Sequence, residues 1–403
     1  MTRWLSIVGI GEDGLEGLSA AARSLVETAE VLVGGSRHLA FVPDSGADRL
    51  LWRRPLESTL PAIAALRGRR VVVLATGDPL WYGIGTLLSR HFSGEELTIL
   101  PHLSAFSLAA ARLGWSLADS AILSLHGRPL DSLRLHFAPN RRALVLSEDG
   151  ETPRAAARLL TQLGWGESRM TVFEHLGGPR EAIAADTAEA WGERRSADLN
   201  TIALECRAGP AARPLSRLAG LPDDAFEHDG QLTKREVRAA TLAALAPLPG
   251  ELLWDVGAGC GSIAIEWLRV GEGAGAVAVE ADPARAAMIA RNAAVLGVPQ
   301  LRIVAAAAPQ ALAGLPPPDA VFVGGGLADP GMLDILWREL RPGGRLVANA
   351  VTTDSERILL AWRPEDGKTA LSRISVSRAE PLGRRRAWRS LMTVTQLVAT
   401  KPY

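Results

Sequence analysis

Cysteine is nearly missing from this chain: two occur in 403 residues, Cys206 and Cys260, far apart in sequence. They provide no disulfide framework and no metal-ligand spacing, so the chain is expected to be cytoplasmic. Histidine, with seven copies, forms no metal-binding cluster, and no Ser/His/Asp order or nucleophile motif stands out. Metal-assisted and covalent nucleophilic chemistry are therefore not expected. Lysine is limited to Lys234, Lys368 and Lys401, so arginine carries almost all the positive charge. Forty-four basic residues balance forty-four acidic ones, which leaves no basic field for nucleic acid. The arginine bias is compatible with a GC-rich coding sequence, and equally with a carboxylate-rich substrate, which guanidinium groups hold bidentately. No run approaches the roughly 18–20 apolar residues of a membrane span. The apolar start Trp4–Gly9 meets Glu12 and Asp13 at once and is expected to be a first strand, not a signal peptide.

What is present is alternation. Up to residue 206, β-branched runs alternate with Ala/Leu/Arg stretches of helical character, which predicts α/β layers. Strands are expected at 4–9, 29–33, 70–75, 97–100, 121–125, 143–147, 170–174 and 200–205, and helices at 18–28, 58–67, 81–91, 103–113, 153–163 and 186–194. Residues 207–230 hold Pro210, Pro214 and Pro222 with little periodicity and are expected to be a linker between a domain at 1–206 and another at 231–403. In the second domain the alternation resumes with helix 232–246 and strand 251–256. It ends in two β-rich runs, Leu371–Arg378 and Met392–Thr400, which predict a closing antiparallel pair around Pro381-Leu382-Gly383.

The strongest local signal is Asp255-Val256-Gly257-Ala258-Gly259-Cys260-Gly261. A strand ends in an acid, a glycine turn opens a helix, and Glu280 follows at the end of the next strand. Glycines let a backbone approach a ligand closely, and an acid about 20 residues on can bind both ribose hydroxyls. A dinucleotide would bring a pyrophosphate to this turn. S-adenosylmethionine brings none, and its cationic groups favour the nearby Asp255. Residues 231–350 resemble the decarboxylating precorrin methyltransferase domains of cobalamin synthesis. The resemblance rests on Leu232-Thr233-Lys234-Arg235-Glu236-Val237-Arg238, the glycine turn, Ile263–Glu266, Ala308-Pro309, Asp319–Gly326 and Pro342–Ala350. It implies a Rossmann-like methyltransferase fold with donor contacts from Thr233, Gly257, Ala258, Gly259, Cys260, Gly261, Glu280 and Ala308. Lys234, Arg235, Arg238 and Arg384-Arg385-Arg386 are candidate cations for substrate carboxylates.

In the first half, Gly9-Ile10-Gly11-Glu12-Asp13-Gly14 imitates a dinucleotide fingerprint, but Glu12 and Asp13 would repel a pyrophosphate. Five segments instead resemble the tetrapyrrole C-methylases. They are Ile7–Gly11, Gly34-Gly35-Ser36-Arg37-His38-Leu39, Leu74–Gly83 with Thr76-Gly77-Asp78-Pro79, Ser124–Arg128 and Glu174–Gly177. That resemblance covers residues 3–206 and implies two α/β lobes with the donor in the cleft. Gly77, Asp78 and Pro79 would form the donor loop, with Ser104 and the rest of Pro101–Ser107 lining the same pocket. Where the family usually has Pro-Gly-x-Ser, this chain has Pro101-His102-Leu103-Ser104. His126 is the candidate catalytic histidine.

Taken together, the resemblances imply two S-adenosylmethionine sites and one reduced tetrapyrrole substrate, precorrin-6B, converted to precorrin-8X. The first half would methylate C5. The second would methylate C15 and remove the C12 acetate as carbon dioxide, with Glu236 and Lys234 as candidates for orienting the acetate and handling a proton. A homo-oligomer is expected. Two other readings are a methyltransferase acting on RNA or protein and a donor-sensing scaffold with one inactive half.

Overall fold

A computed structural model describes residues 3–327, 329 and 331–403. The chain divides into two compact units. One comprises the chain up to Leu130 with His136–Pro214, and the other Asp131–Leu135 with Leu215–Tyr403. No helix among the described residues is long and apolar enough to cross a membrane.

The first unit has two lobes. In the first lobe, β1 (Leu5–Ile10), β2 (Val31–Gly34), β3 (Asp48–Leu51), β4 (Val71–Thr76) and β5 (Leu97–Leu100) form a parallel sheet in the order β3-β2-β4-β1-β5. Alternate side chains of its central strands enter opposite cores. Ile7, Val33 and Val73 pack with Ile63 and Leu88 on one face, while Val8, Leu32 and Leu74 pack with Val26 and Leu39 on the other. Burial on both faces explains the near-continuous apolar runs of these strands. The second lobe holds β6 (Ser120–Ser124), β7 (Arg142–Leu146), β8 (Arg169–Glu174), β9 (Ala182–Thr187) and β10 (Asn200–Glu205) in the order β6-β7-β10-β8-β9. Only β6 and β7 run parallel in this mixed sheet.

Two elements differ from expectation here. The short strand β3 was not foreseen. The helix expected at 186–194 is replaced by the end of β9 and a turn that buries Trp191. Alanine and glutamate favour helix locally, but the open edge of β8 leaves backbone groups that β9 satisfies along its whole length.

In the second unit, β11 (Leu252–Val256), β12 (Gly275–Val279), β13 (Arg302–Val304), β14 (Ala320–Val323) and β15 (Arg345–Ala350) are parallel. Together with β16 (Lys368–Ile374) and β19 (Val394–Thr400) they make a seven-stranded sheet ordered β13-β12-β11-β14-β15-β19-β16. Helices Arg235–Leu245, Ser262–Val270 and Pro283–Val295 cover one face and Met332–Glu339 and Thr353–Ala361 the other. This is a Rossmann-like fold whose strand order reverses between β11 and β14, where ligands bind in open α/β sheets. The closing antiparallel pair exists as β16 and β19. The Pro381–Gly383 region between them is more than a connection. It is the tip of a separate hairpin, β17 (Ser377–Leu382) and β18 (Arg385–Ser390).

Residues 215–230 fold onto this unit. Glu266, 1% exposed on the Ser262–Val270 helix, accepts the backbone N–H groups of Gly220 and Leu221 at 2.6 and 2.9 Å. Its other buried partner is Arg238, whose Nε lies 2.6 Å away. Arg238 is completely buried, stacks on Phe226, donates to the carbonyls of Thr233 and Leu221, and reaches Asp223. The sequence offered Arg238 as a cation for substrate; the fold uses its charge internally. Breaking a buried pair strands the remaining charge at a cost of about 3–5 kcal/mol, whereas replacing both partners by apolar residues can be neutral. Arg238→Met alone should therefore lower the urea midpoint of the second unit sharply. Arg238→Met combined with Glu266→Leu should recover much of the loss, and an equal loss in both variants would show that packing rather than charge dominates.

Candidate functional site

At the C-terminal end of β11 the chain turns through Gly257, Gly259 and Gly261, with φ of 68°, 60° and 80°. At Gly257 two demands coincide: a positive φ, and a Cβ position only 2.7 Å from the Gly325 backbone on the loop after β14. The loops on either side of the strand-order reversal therefore touch through glycine alone. Glu280, at the end of β12 and 7% exposed, accepts the Gly259 N–H at 2.7 Å and the Asp282 N–H at 3.0 Å. This brings the expected ribose acid to the expected turn. Gly261 precedes the Ser262–Val270 helix, whose N-terminal end therefore meets the same turn.

Asp255 is 1% exposed. One carboxylate oxygen accepts the Ala264 N–H at 3.0 Å, and the other, also buried, has no partner. Burial, with Glu280 adding repulsion, pushes its pKa up to about 7. An orphaned acidic oxygen beside a glycine turn fits a cationic ligand such as S-adenosylmethionine.

The segment before the sheet is tied to this turn. Asn292 donates to the carbonyls of Cys260 and Glu227 at 3.0 and 2.9 Å and accepts the Glu227 N–H at 2.8 Å. Arg285 binds Asp229 at 2.8 Å. The Gln231 carbonyl lies 3.8 Å from the Cβ position at Gly259. Thr233, half-buried, thus belongs to a strap laid beside the turn, and Ala308 stands half-buried on the loop after β13. Lys234 stands, half-buried, at the residue before the Arg235–Leu245 helix, with no acid partner for its ammonium among the described residues. Glu236 is exposed, and Arg378 of the hairpin bonds it at 2.6 Å and Asp223 at 2.9 Å. The hydrogen bond from Arg378 holds the Glu236 carboxyl below its ordinary value. Asn292 and Arg378 were not singled out from sequence. A buried asparagine on the apolar face of a helix was the available signal for the first. The pairing of Arg378 depends on the unforeseen hairpin.

In the first unit, β4 ends at Thr76 and the chain enters Gly77-Asp78-Pro79. The Gly77 N–H donates to Ile10 at 3.1 Å, and its carbonyl accepts the His102 N–H at 3.2 Å. A methyl group at Gly9 would collide with that carbonyl, so β1 and the loop pack through glycine. Asp78 accepts the Leu80 N–H at 2.9 Å in a tight turn, and Ser104 caps the Ala105–Leu113 helix through the Ser107 N–H at 3.1 Å. His102, where the family usually has glycine, does not have a positive φ, so no glycine is needed there. Leu80, Trp81, Tyr82 and Leu103 surround the loop, each more than 40% exposed, and form an apolar rim. His126 lies just after β6, its side chain 71% exposed and 3.4 Å from Glu148.

Comparison with known proteins agrees with both halves. Residues 5–191 match the family described as Tetrapyrrole (Corrin/Porphyrin) Methylases, and residues 224–401 match the Precorrin methyltransferase domain. The precorrin-6Y C(5,15)-methyltransferase [decarboxylating] of Sinorhizobium sp is 48% identical over 99% of this chain and 96% of its own. This chain belongs to the family of decarboxylating precorrin-6Y C(5,15)-methyltransferases. Two shorter proteins each match part of it. The cobalt-precorrin-7 C(5)-methyltransferase of Salmonella typhimurium is 37% identical over 44% of this chain and 88% of its own. A Pyrobaculum aerophilum protein named "Probable cobalt-precorrin-6B C(15)-methyltransferase (decarboxylating)" is 36% identical over 41% of this chain and 87% of its own.

The Asp255 carboxyl has an ordinary value of 3.8 and a folded value of about 7. Between these the folded chain keeps a proton that the unfolded chain has released, so stability falls as pH rises across the window, by on the order of 4 kcal/mol. Asp255→Asn should remove that slope from urea titrations. Affinity for the cationic donor should rise with pH through about 7 in the wild type and stay flat and weak in Asp255→Asn. A pH-independent wild-type affinity would exclude Asp255 from donor binding.

Proposed function

We propose that this enzyme methylates precorrin-6B at two meso carbons with two S-adenosylmethionine molecules and removes the C12 acetate, giving precorrin-8X in cobalamin synthesis. The first unit serves C5, and the second serves C15 and the decarboxylation. The observation that carries this reading is the pair of glycine-built loops at the C-terminal edges of two unrelated parallel sheets, Gly77–Pro79 and Gly257–Gly261. Two shorter relatives, one named for each activity, support the division.

When bound, the donor supplies a methyl group already activated by its sulfonium. The chain's task is to hold two reactants at near-attack distance and exclude water. In the second unit, Glu280 is suited to the ribose hydroxyls and the free oxygen of Asp255 to a cationic group. The turn Gly257, Ala258, Gly259, Cys260 and Gly261 admits the ligand to the backbone, with Thr233 and Ala308 flanking it. The ammonium of Lys234 is suited to hold the acetate carboxylate until carbon dioxide leaves, its electron pair passing into the conjugated imine of the macrocycle. Glu236, kept ionised by Arg378, orients that region and is poorly suited to donate the proton that completes the new methyl group. In the first unit, Gly77, Asp78, Pro79 and Ser104 frame the donor loop. The rim of Leu80, Trp81, Tyr82 and Leu103 suits the flat face of a macrocycle. His126 is proposed to accept the proton released after methylation there.

The two buried free thiols, Cys206 and Cys260, support a reducing compartment, the cytoplasm. The β17–β18 hairpin carries Leu382 at 68% and Trp388 at 77% exposure and supports association with further copies of the chain. Trp388→Glu should then reduce the mass seen by light scattering, and an unchanged mass would remove the hairpin from the interface. With precorrin-6B and labelled donor, mass spectrometry should find two methyls gained and one carbon dioxide lost. Gly257→Val should abolish C15 methylation and carbon dioxide release while sparing C5 methylation on supplied intermediate, and Gly77→Val should do the reverse. Loss of both methylations in either variant would sink the division of labour.

A further inference from the structure

One charged cluster in the first unit takes no part in the chemistry above. It sits at the C-terminal edge of the parallel sheet, beside the donor loop. Glu12, on the turn after β1, has a side chain only 8% exposed. One of its oxygens accepts from Arg37 at 2.9 Å. The other meets His175 Nδ1 at 3.0 Å and Arg180 at 3.4 Å. Arg37 also donates to the Thr76 hydroxyl at 2.8 Å and contacts the His38 ring at 3.0 Å, and His38 lies 2.9 Å from the same hydroxyl. Thr76 immediately precedes Gly77, so Arg37 is anchored to the first residue before the donor loop.

The charges do not balance. Two guanidinium groups and the His175 imidazole share a single carboxylate, the only acid paired with any of them among the described residues. Neighbouring Glu181 offers no relief, because Arg112 and the Gly177 N–H occupy it. His38 is pushed down to about 4 by burial and by Arg37, and is neutral. Burial and the repulsion of Arg180 also lower the pKa of Arg37, partly offset by Glu12. Two fixed positive charges therefore face one negative charge. The Arg180 side chain, 68% exposed with one long bond, keeps most of its donors free, and Arg37 is one-third exposed. A carboxylate that met both would restore neutrality and gain bidentate hydrogen bonds.

We infer that Arg37 and Arg180, positioned by Glu12 and Thr76, form a carboxylate-recognition site for an acidic side chain of the tetrapyrrole methylated in the first unit. The site rests on the functional reading above and deepens it. The apolar rim at Leu80–Tyr82 takes the ring face, and the arginine pair fixes which edge is turned toward the donor loop. The arrangement selects orientation, and so which meso carbon receives the methyl.

The test uses the full chain and two readouts. In the first, uroporphyrin, a tetrapyrrole octacarboxylate, is titrated by fluorescence against its octamethyl ester. The wild type should prefer the acid. Arg180→Ala should weaken acid binding about tenfold, the scale of one lost charge-assisted hydrogen bond. Arg180→Lys should restore part of it and Arg180→Glu should weaken it further. Arg180 is exposed enough for these variants to fold. In the second readout, Arg180→Ala should raise KM for C5 methylation about tenfold, with donor affinity and C15 methylation unchanged. Equal affinity of wild type and Arg180→Ala for the octacarboxylate, or no binding by either, overturns the site. Arg180-dependent binding without any C5 methyl transfer by the wild type would leave the site standing and overturn the functional reading instead.

Discussion

The second unit depends on one desolvated ion pair. Arg238 and Glu266 lie on adjacent helices, and both are buried. Burying two charges is costly, and the cost is offset only when every remaining donor and acceptor is used. Here they are used: Glu266 takes two N–H groups from the 220–221 turn, and Arg238 gives to two carbonyls that flank it and to Asp223. The pair therefore acts as a clasp. It fixes an otherwise irregular strap against the sheet, and the strap carries Thr233 and Lys234 to the glycine turn. Asn292 repeats the device closer to the ligand mouth, holding Cys260 and Glu227 together.

The two loops proposed to hold the donor are built by different physics. The second unit places side-chain acids, Asp255 and Glu280, around a glycine turn whose tightness comes from contact with Gly325. The first unit uses the acid of its loop, Asp78, on the Leu80 N–H. It brings two backbone segments, Gly9 and Gly77, so close that no side chain fits between them, and leaves an exposed apolar rim around the loop. A turn with a spaced acid announces its chemistry in sequence. A loop that works through its backbone does not, which is why Gly77-Asp78-Pro79 was recognisable only by likeness to a family.

Most strands were legible because both parallel sheets are buried on two faces, which demands continuous apolar runs bounded by glycine and polar turns. The misreadings fall where a partner decides the conformation. Residues 186–194 have helical propensity, yet the bare edge of β8 recruits 182–187 as a strand. The stretch between β16 and β19 contains a hairpin whose two strands satisfy only each other. Arg238 showed how a charge in a motif can be spent on the fold, and the proximity of Glu12 to Arg180, 168 positions away in sequence, could not be read from either segment.

The sequence by itself determined the class of each half, the order of most strands and helices, and the turn Asp255–Gly261 with Glu280, because periodicity, glycine geometry and a fixed spacing are local properties of a chain. Only the tertiary structure decided which charges are free to meet a ligand. Among the described residues, Arg238 and Arg378 are claimed by acids from distant segments, Lys234 is not, and Arg37 and Arg180 together outnumber their single carboxylate. Whether a charge is neutralised depends on what stands within a few ångströms of it, and that is set by packing rather than by position along the chain.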